Sequence, residues 1–317
     1  MKIQNSIVAV TGGAGFLGSY LCEKLVSVDA EKIIIIDDFS LGTLNNIGEI
    51  LSLDNIIVET ADVSNYEDIQ KIFEVEQPDV VFNLAVVPLP ASLVHPKEAV
   101  DKNIQITTTM CDLLRRDEYK TLIHISSSEA YGSAMYVDRR MDENHPTSPT
   151  TPYAASKLAC DHIVLSYYRT FGIDVSIARP FNMYGPRQNR KVYAGVIPIT
   201  VDKILQGYPP VIHGDGFQTR DYSYVQDVAN ILPMFYENKT TRGRIINIAS
   251  GEEITIDKII RMIIRIMDYS GPVIHTEQRP GDIRRHCGDI TLAKKLLNYH
   301  PITPFEEGLK KTVRWFL

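Results

Sequence analysis

The chain has 317 residues, 44% of them hydrophobic and 23% charged, with a formal net charge of -6 at neutral pH. This is ordinary globular composition, long enough for one large domain and a smaller one, and the interspersed charges, with no long basic run, argue against a nucleic-acid partner. No apolar run approaches the roughly 20 residues that span a bilayer, and the opening MKIQNSIVAV is too short and too soon punctuated by glycine for a signal peptide, so a cytoplasmic protein without a membrane partner is expected.

Taken in chain order, short apolar runs alternate with helical patterns. SIVAV (6–10), KIIIID (32–37), NIIVETAD (55–62), DVVFNLA (79–85), TLIHISS (121–127) and DVSIARP (174–180) read as strands. They are continuous rather than alternating, as strands covered on both faces are. Helices are expected over 16–28, 65–75, 97–117 and 152–171. Strand and helix in strict alternation predict an α/β fold with a Rossmann-type doubly wound parallel sheet. After Pro180 the rhythm breaks into Pro- and Gly-rich segments, which predicts a smaller α/β substrate domain over 181–317 behind a dinucleotide domain over 1–180, with 221–250 a candidate to return to the first. The four cysteines, Cys22, Cys111, Cys160 and Cys287, form no CxxC pair and no zinc spacing, so reduced thiols and no metal are expected.

VTGGAGFLGS directly follows the first strand. A strand, a glycine-rich turn and a helix make a phosphate cradle. Gly12 permits the tight turn, Gly15 lets the backbone approach a pyrophosphate, and Gly18 lets the helix pack on the strand. Phe16 and Leu17 offer free N–H groups and a positive dipole end to the phosphates. No GK[ST] follows, so this is not a nucleotide-hydrolysing P-loop. Asp37 ends the second strand 19 residues after Gly18, where a carboxylate grips both ribose hydroxyls of adenosine, and it favours NAD over NADP because a 2'-phosphate would face like charge. Asp62, before Val63 at the end of the third strand, is either an adenine contact or a helix cap.

YAASK puts Tyr153 and Lys157 one helical turn apart on one face, downstream of SSSEAYG at a strand end. With TGGAGFLG, NLA, RPFNMYGPRQ, GDGFQTRDYSYVQDVA and RPGDIRRHCGDI, these motifs make the chain resemble, nearly end to end, the extended short-chain dehydrogenase/reductase superfamily and, within it, NAD-dependent nucleotide-sugar epimerases and dehydratases of the UDP-glucose 4-epimerase type. The resemblance implies Tyr153 as general base, Lys157 as the residue that binds the nicotinamide ribose and depresses the tyrosine pKa, and Ser127 as the hydroxyl that bonds the sugar. It extends the NAD-binding set to Asp38, Ser40, Gly42, Asp62, Val63, Leu84, Ala85, Val86 and Asn103, besides Tyr153 and Lys157. It places Pro88, Ser127, Ser128, Glu129, Asn182, Arg187, Arg220, Arg279, Asp282 and His286 against a nucleotide-sugar substrate, a UDP-sugar first among them. Arg220 and Arg279 would clamp the diphosphate bidentately, or else form surface ion pairs. His286 either lines the sugar pocket or is a solvated loop histidine.

The same resemblance separates reactions. A 4,6-dehydratase carries an adjacent Asp-Glu pair after the serine or threonine; this chain has Ser128-Glu129. A decarboxylase carries an arginine where this chain has His286, and a glucuronate epimerase an arginine where it has Asn189, with Arg190 adjacent. The reading is therefore a 4-epimerase acting on a UDP-hexose or UDP-N-acetylhexosamine through a transient 4-keto sugar, ahead of a dehydratase, a glucuronate decarboxylase or epimerase, and a non-catalytic dinucleotide sensor. The helices at 97–117 and 152–171 match a pair that joins subunits in relatives, which implies a homodimer. VVPLPASLVHP reads as a proline-rich loop above the nicotinamide.

Overall fold

Strand β1 (Ile7–Thr11) opens a computed structural model that describes residues 1–136, 138–190, 195–278 and 283–317. Next come α1 (Phe16–Ser27), β2 (Lys32–Asp37), β3 (Ile56–Thr60), α2 (Tyr66–Glu76), β4 (Val80–Asn83), α3 (Leu89–Val94), α4 (Pro96–Arg115), β5 (Thr121–Ile125), α5 (Pro152–Phe171) and β6 (Val175–Pro180). Every strand and helix expected from the sequence up to Pro180 forms, within a few residues at each end. The exception is the proline-rich segment, where α3 replaces the expected loop. Pro90 falls in the first turn of that helix, where a missing N–H costs nothing because no carbonyl awaits it.

The large sheet runs β11-β6-β5-β4-β1-β2-β3, with every neighbouring pair parallel. Val8, Val10, Ile33, Ile35, Phe82 and Ile123 face one apolar core with α1 and α7, and Ala9, Ile34, Ile36, Val81 and Leu122 face a second with α2, α4 and α5. Alternate residues thus serve opposite layers, and this explains why the strands read as unbroken apolar runs.

Beyond Pro180 the chain makes β7 (Asn182–Tyr184), α6 (Val196–Leu205), β8 (Val211–His213), β9 (Thr219–Arg220) and β10 (Tyr222–Tyr224). It then gives α7 (Val225–Glu237) and β11 (Ile245–Ile248) to the large sheet: α7 packs on α1, and β11 pairs with β6. The remainder is β12 (Ile254–Thr255), α8 (Ile256–Ile266), β13 (Ile274–Thr276), α9 (Thr291–Leu297) and α10 (Phe305–Phe316). Here strands of two or three residues pair two by two, β10 with β7, β12 with β9 and β13 with β8. A third core of Tyr184, Ile197, Val201, Ile259, Ile263, Leu309 and Val313 joins β7, α6, α8 and α10, while Ala293 and Leu297 bring α9 back to the first core beside α7 and β11. Among the described residues no helix is long and apolar enough to cross a membrane, and all four cysteines are buried.

Candidate active site

The sheet order reverses between β1 and β4, since the chain departs from one to each side. Such a switch point leaves a crevice beyond the carboxyl ends of the strands. The glycine turn sits there. Gly12 has φ +66°, and a Cβ on it would press on the Ala85 backbone at 3.1 Å. A Cβ on Gly18 would lie 2.2 Å from the Gly12 carbonyl oxygen, so α1 can start against the turn only with glycine at that position. Gly15 caps α1 in extended conformation with no side-chain hydrogen bond, which leaves the N–H groups at Phe16 and Leu17 for an anion. The cradle therefore fits a dinucleotide pyrophosphate.

Asp37 closes the far side. It is 5% exposed and accepts from the Ala14 N–H at 3.0 Å and the Phe39 N–H at 2.9 Å; Gly42 leaves it room, since a Cβ there would fall 2.7 Å from the carboxylate. Burial raises its pKa, against the two N–H donors. Asp38 and Asp62 form matching turns, each accepting from the N–H and hydroxyl of the serine two residues on, Ser40 and Ser64. The cap of α2 is Asn65 rather than Asp62, and Val63 beside it is buried. Leu84, Ala85 and Val86 follow β4. The N–H groups of Leu84 and Ala85 donate to the Thr11 hydroxyl, so the two loops facing the crevice are stitched together at its floor. Asn103 on α4 is buried and brackets Val87, accepting from its N–H at 2.7 Å and donating to its carbonyl at 3.1 Å, while its amide also reaches Ser156 on α5.

The catalytic candidates converge from β5 and α5. Thr151 caps α5 by accepting from the Ala154 N–H, Pro152 fills the first position, and Gly172 at φ +69° ends it. That phase aims Tyr153 and Lys157 at the end of β5. Ser127 hydrogen-bonds the Tyr153 hydroxyl, and Lys157, 4% exposed, donates to the Ile125 carbonyl at 2.7 Å. Burial pushes the Tyr153 phenol up to about 12 against the Ser127 bond, with Glu129 adding to the rise. Burial also lowers the Lys157 ammonium. Burial and the Ser127 bond are thus the two largest influences on the phenol in the chain by itself. Sequence reasoning missed Ser92 on α3, whose hydroxyl accepts from the Tyr153 N–H at 3.2 Å and so fixes the start of the catalytic helix under Pro88 and α3. It also missed a buried polar row on neighbouring strands: the Thr11 hydroxyl donates to Asn83, and the Asn83 amide lies 3.3 Å from His124 Nδ1. Ser92 was hidden in a segment that reads as a loop, and the polar row inside runs that read as core.

A cavity of about 350 Å³ opens where β7, α6 and β8 meet, lined by Asn182, Gly195, Val196, Ile199, Thr200, Lys203, Val211, His213, Gln218, Arg220, Tyr222 and Ile256. Its charged lining, Lys203 and Arg220, is basic, and it lies at the N-terminus of α6. The buried Asn182 Nδ2 has no partner among the described residues, a donor left for a ligand. Arg220 donates to the Thr219 and Ile283 carbonyls and faces the same cavity. Arg279 and Asp282 lie outside the described residues.

Of the two readings of His286, the structure excludes the solvated loop residue: it is 0% exposed, stacked at 4.9 Å on Phe181, with Nε2 3.3 Å from the Ser128 carbonyl. Burial, helped by the Arg220 charge, pushes it down to about 4, so it is neutral at ordinary pH. Arg187 does not line the cavity. It turns to α1, where it pairs with Glu23, donates to Ser19 and lies over the Tyr20 ring. Ser128 is buried and Glu129 partly exposed on the short 3-10 turn Ser128–Tyr131, beside the Tyr153 hydroxyl.

Comparison with known proteins gives a consistent set. The pattern of the GDP-mannose 4,6 dehydratase family matches residues 9–312. A Methanocaldococcus jannaschii protein, provisionally named a UDP-glucose 4-epimerase, is 33% identical over 98% of both chains. The solved UDP-N-acetylglucosamine 4-epimerase of Methanobrevibacter ruminantium, in complex with UDP-N-acetylmuramic acid, is 32% identical with a TM-score of 0.90, covering 99% of this chain and 98% of that one. The dTDP-glucose 4,6-dehydratase of Streptomyces venezuelae, solved with NAD, is 27% identical with a TM-score of 0.91, covering 98% of this chain and 96% of that one.

Proposed function

The chain belongs to the family of NAD-dependent nucleotide-sugar epimerases and dehydratases, and we propose that its own reaction is 4-epimerisation of a UDP-hexose or UDP-N-acetylhexosamine. The observation that carries this reading is the composition of the turn after β5. Ser127 stands beside Tyr153 and Lys157, which suits removal of a proton from a sugar hydroxyl, but the next residue is the buried Ser128 rather than an acid. Elimination of water needs a proton donor to the leaving hydroxyl as well as a base at the neighbouring carbon, and this turn carries the single carboxylate of Glu129. Two further observations favour a neutral sugar over a uronic acid. His286 is held uncharged, and Arg190 is engaged by Asp202 and the Phe316 carbonyl.

In this reading the glycine cradle, Asp37, Tyr153 and Lys157 would hold NAD, which when bound would supply a hydride acceptor and a positive charge close to the phenol. Every other part is played by the chain. A phenol held at about 12 is ionised in roughly one molecule in 100,000 at pH 7. Tyr153 therefore becomes an effective base only with cationic help, from Lys157 and from the loaded cofactor together. Ser127 bonds the reacting hydroxyl and orients its proton toward Tyr153. The same tyrosine would return the proton to the sugar oxygen when the carbonyl is reduced on its opposite face. Asn182, Lys203 and Arg220 hold the diphosphate while the sugar turns over between the two faces. The likeness of α4 and α5 to subunit-joining helices supports a homodimer, which light scattering over a range of concentrations tests.

The test of the reaction is a panel of UDP-sugars resolved by product chromatography, with NADH followed by absorbance. We expect interconversion of 4-epimers without net NADH. A 4-keto-6-deoxy product would make the protein a dehydratase, and stoichiometric NADH would make it a dehydrogenase.

A further inference from the structure

Lys102 has no part in the reaction just described, yet it makes an unusual pair of contacts. Its ammonium lies 2.9 Å from Asp62 Oδ2 and 3.4 Å from Asp38 Oδ2. These carboxylates stand after β3 and β2, on the two matching Asp-x-Ser turns. In each turn Oδ1 is taken by the serine, so Oδ2 is the oxygen left to reach outward, and one lysine collects both. The lysine comes from a third element, α4, and the next residue on that helix is Asn103, buried and bonded to both polar groups of the Val87 backbone. Lys102 thus projects from an anchored point on α4 and ties together two loops that leave neighbouring strands. None of the three side chains is more than 43% exposed, so the pairs are partly sheltered from solvent screening.

The two loops frame the adenosine end of the cofactor site, with Asp37 behind them. We propose that Lys102 is a cofactor-retention residue: by bridging Asp38 to Asp62 it holds the two loops at fixed spacing, and the bridge must part before the adenosine half of NAD can exchange. The inference rests on the reading above that NAD is held through successive turnovers, a cycle in which slow exchange has a use. It also explains why the residue is a lysine. A neutral side chain would leave two carboxylates facing each other across the gap, and their repulsion would open it. The contact is electrostatic, so exchange follows the ionic strength, which a purely packing contact would not do.

The experiment loads wild-type protein, Lys102→Met and Lys102→Arg with radiolabelled NAD. It follows label loss into excess unlabelled NAD at about 20 mM and 500 mM salt, together with the NAD content of each protein as purified and its melting temperature. Methionine keeps the stem and removes the charge; arginine keeps the charge. We expect wild-type exchange to quicken at high salt. Lys102→Met should exchange about five- to tenfold faster than wild type at low salt, as the loss of two half-sheltered ion pairs implies, with little further response to salt. Lys102→Arg should behave as wild type. A folded Lys102→Met protein that exchanges at the wild-type rate at low salt overturns the proposal and leaves the cofactor reading standing. Wild-type protein that neither carries NAD nor takes it up overturns both.

Discussion

The proposed cofactor and substrate ends of this molecule are built by different means. The cofactor end leans on backbone, the glycine turn and the free N–H groups of α1 at the ends of parallel strands, with the Asp37 carboxylate and the Lys102 bridge closing it. The proposed substrate end is made of side chains. Asn182, Lys203, His213 and Arg220 come from four short elements spread over some forty residues, and strands of two or three residues hold them in place. A backbone site accepts a chemical group common to many ligands, here a pyrophosphate. A side-chain site discriminates, because each replaced residue changes what fits. The difference teaches where to look for the identity of the sugar: beyond Pro180, and at the turn after β5.

The sharpest way to break this contrast is at the junction of the two ends. Tyr153→Phe removes the proton acceptor and keeps the ring's packing, so turnover should fall about 100- to 10,000-fold with NAD still bound and the melting temperature little changed. A folded, NAD-loaded variant with near-normal turnover would remove Tyr153 from the chemistry. Next in size is the acid limit of the substrate end. His286 is pushed down to about 4 when folded and titrates near 6.5 when unfolded, so between those values the unfolded chain binds more protons. The stability it protects is whole above pH 6.5 and is lost as pH falls toward 4, roughly 3 kcal/mol in all. Denaturant midpoints across that range should show this slope in the wild type and a flatter one in His286→Asn.

Arg220→Met should raise the KM for the nucleotide sugar about 10- to 100-fold, the worth of a charge-assisted hydrogen bond to phosphate, with a smaller change in kcat. An unchanged KM would assign the cavity to something other than the diphosphate. The smallest effect belongs to Arg187, whose side chain lies on α1. Arg187→Ala should lower stability by about 1 kcal/mol through loss of its contacts with Glu23 and Tyr20, and shift KM by less than about twofold. A large KM effect would return it to the substrate site.

The contrast also decided what could be read without a structure. The parallel sheet was legible because each strand is buried on both faces, and continuous apolar runs of that kind leave few alternatives. Asp37 was legible because its spacing from Gly18 follows from one helix and one strand of ordinary length. The cavity was not, since Lys203 and His213 belong to no motif and meet Asn182 and Arg220 only through tertiary packing. The two-residue strand β9 carries no periodicity at all. Helix α3 was missed because prolines suggest loops, while the first turn of a helix tolerates them. His286 stayed ambiguous because nothing in RPGDIRRHCGDI tells a buried imidazole from a wet one; the Phe181 ring that covers it is more than a hundred residues away.

The route of the chain between the two ends has a mechanical consequence. It passes from the large sheet to the small paired strands after β6, returns from β10 into α7, leaves after β11, comes back at α9 and leaves once more into α10. A body hung on a single tether can swivel about any axis. One joined by five strands of chain gives up that freedom, because any counter-rotation strains every crossing at once. In the proposed reaction, which presents both faces of one carbon to a fixed acceptor, the turning part is then the small sugar, swivelling about its own linkage between two walls that keep their bearing.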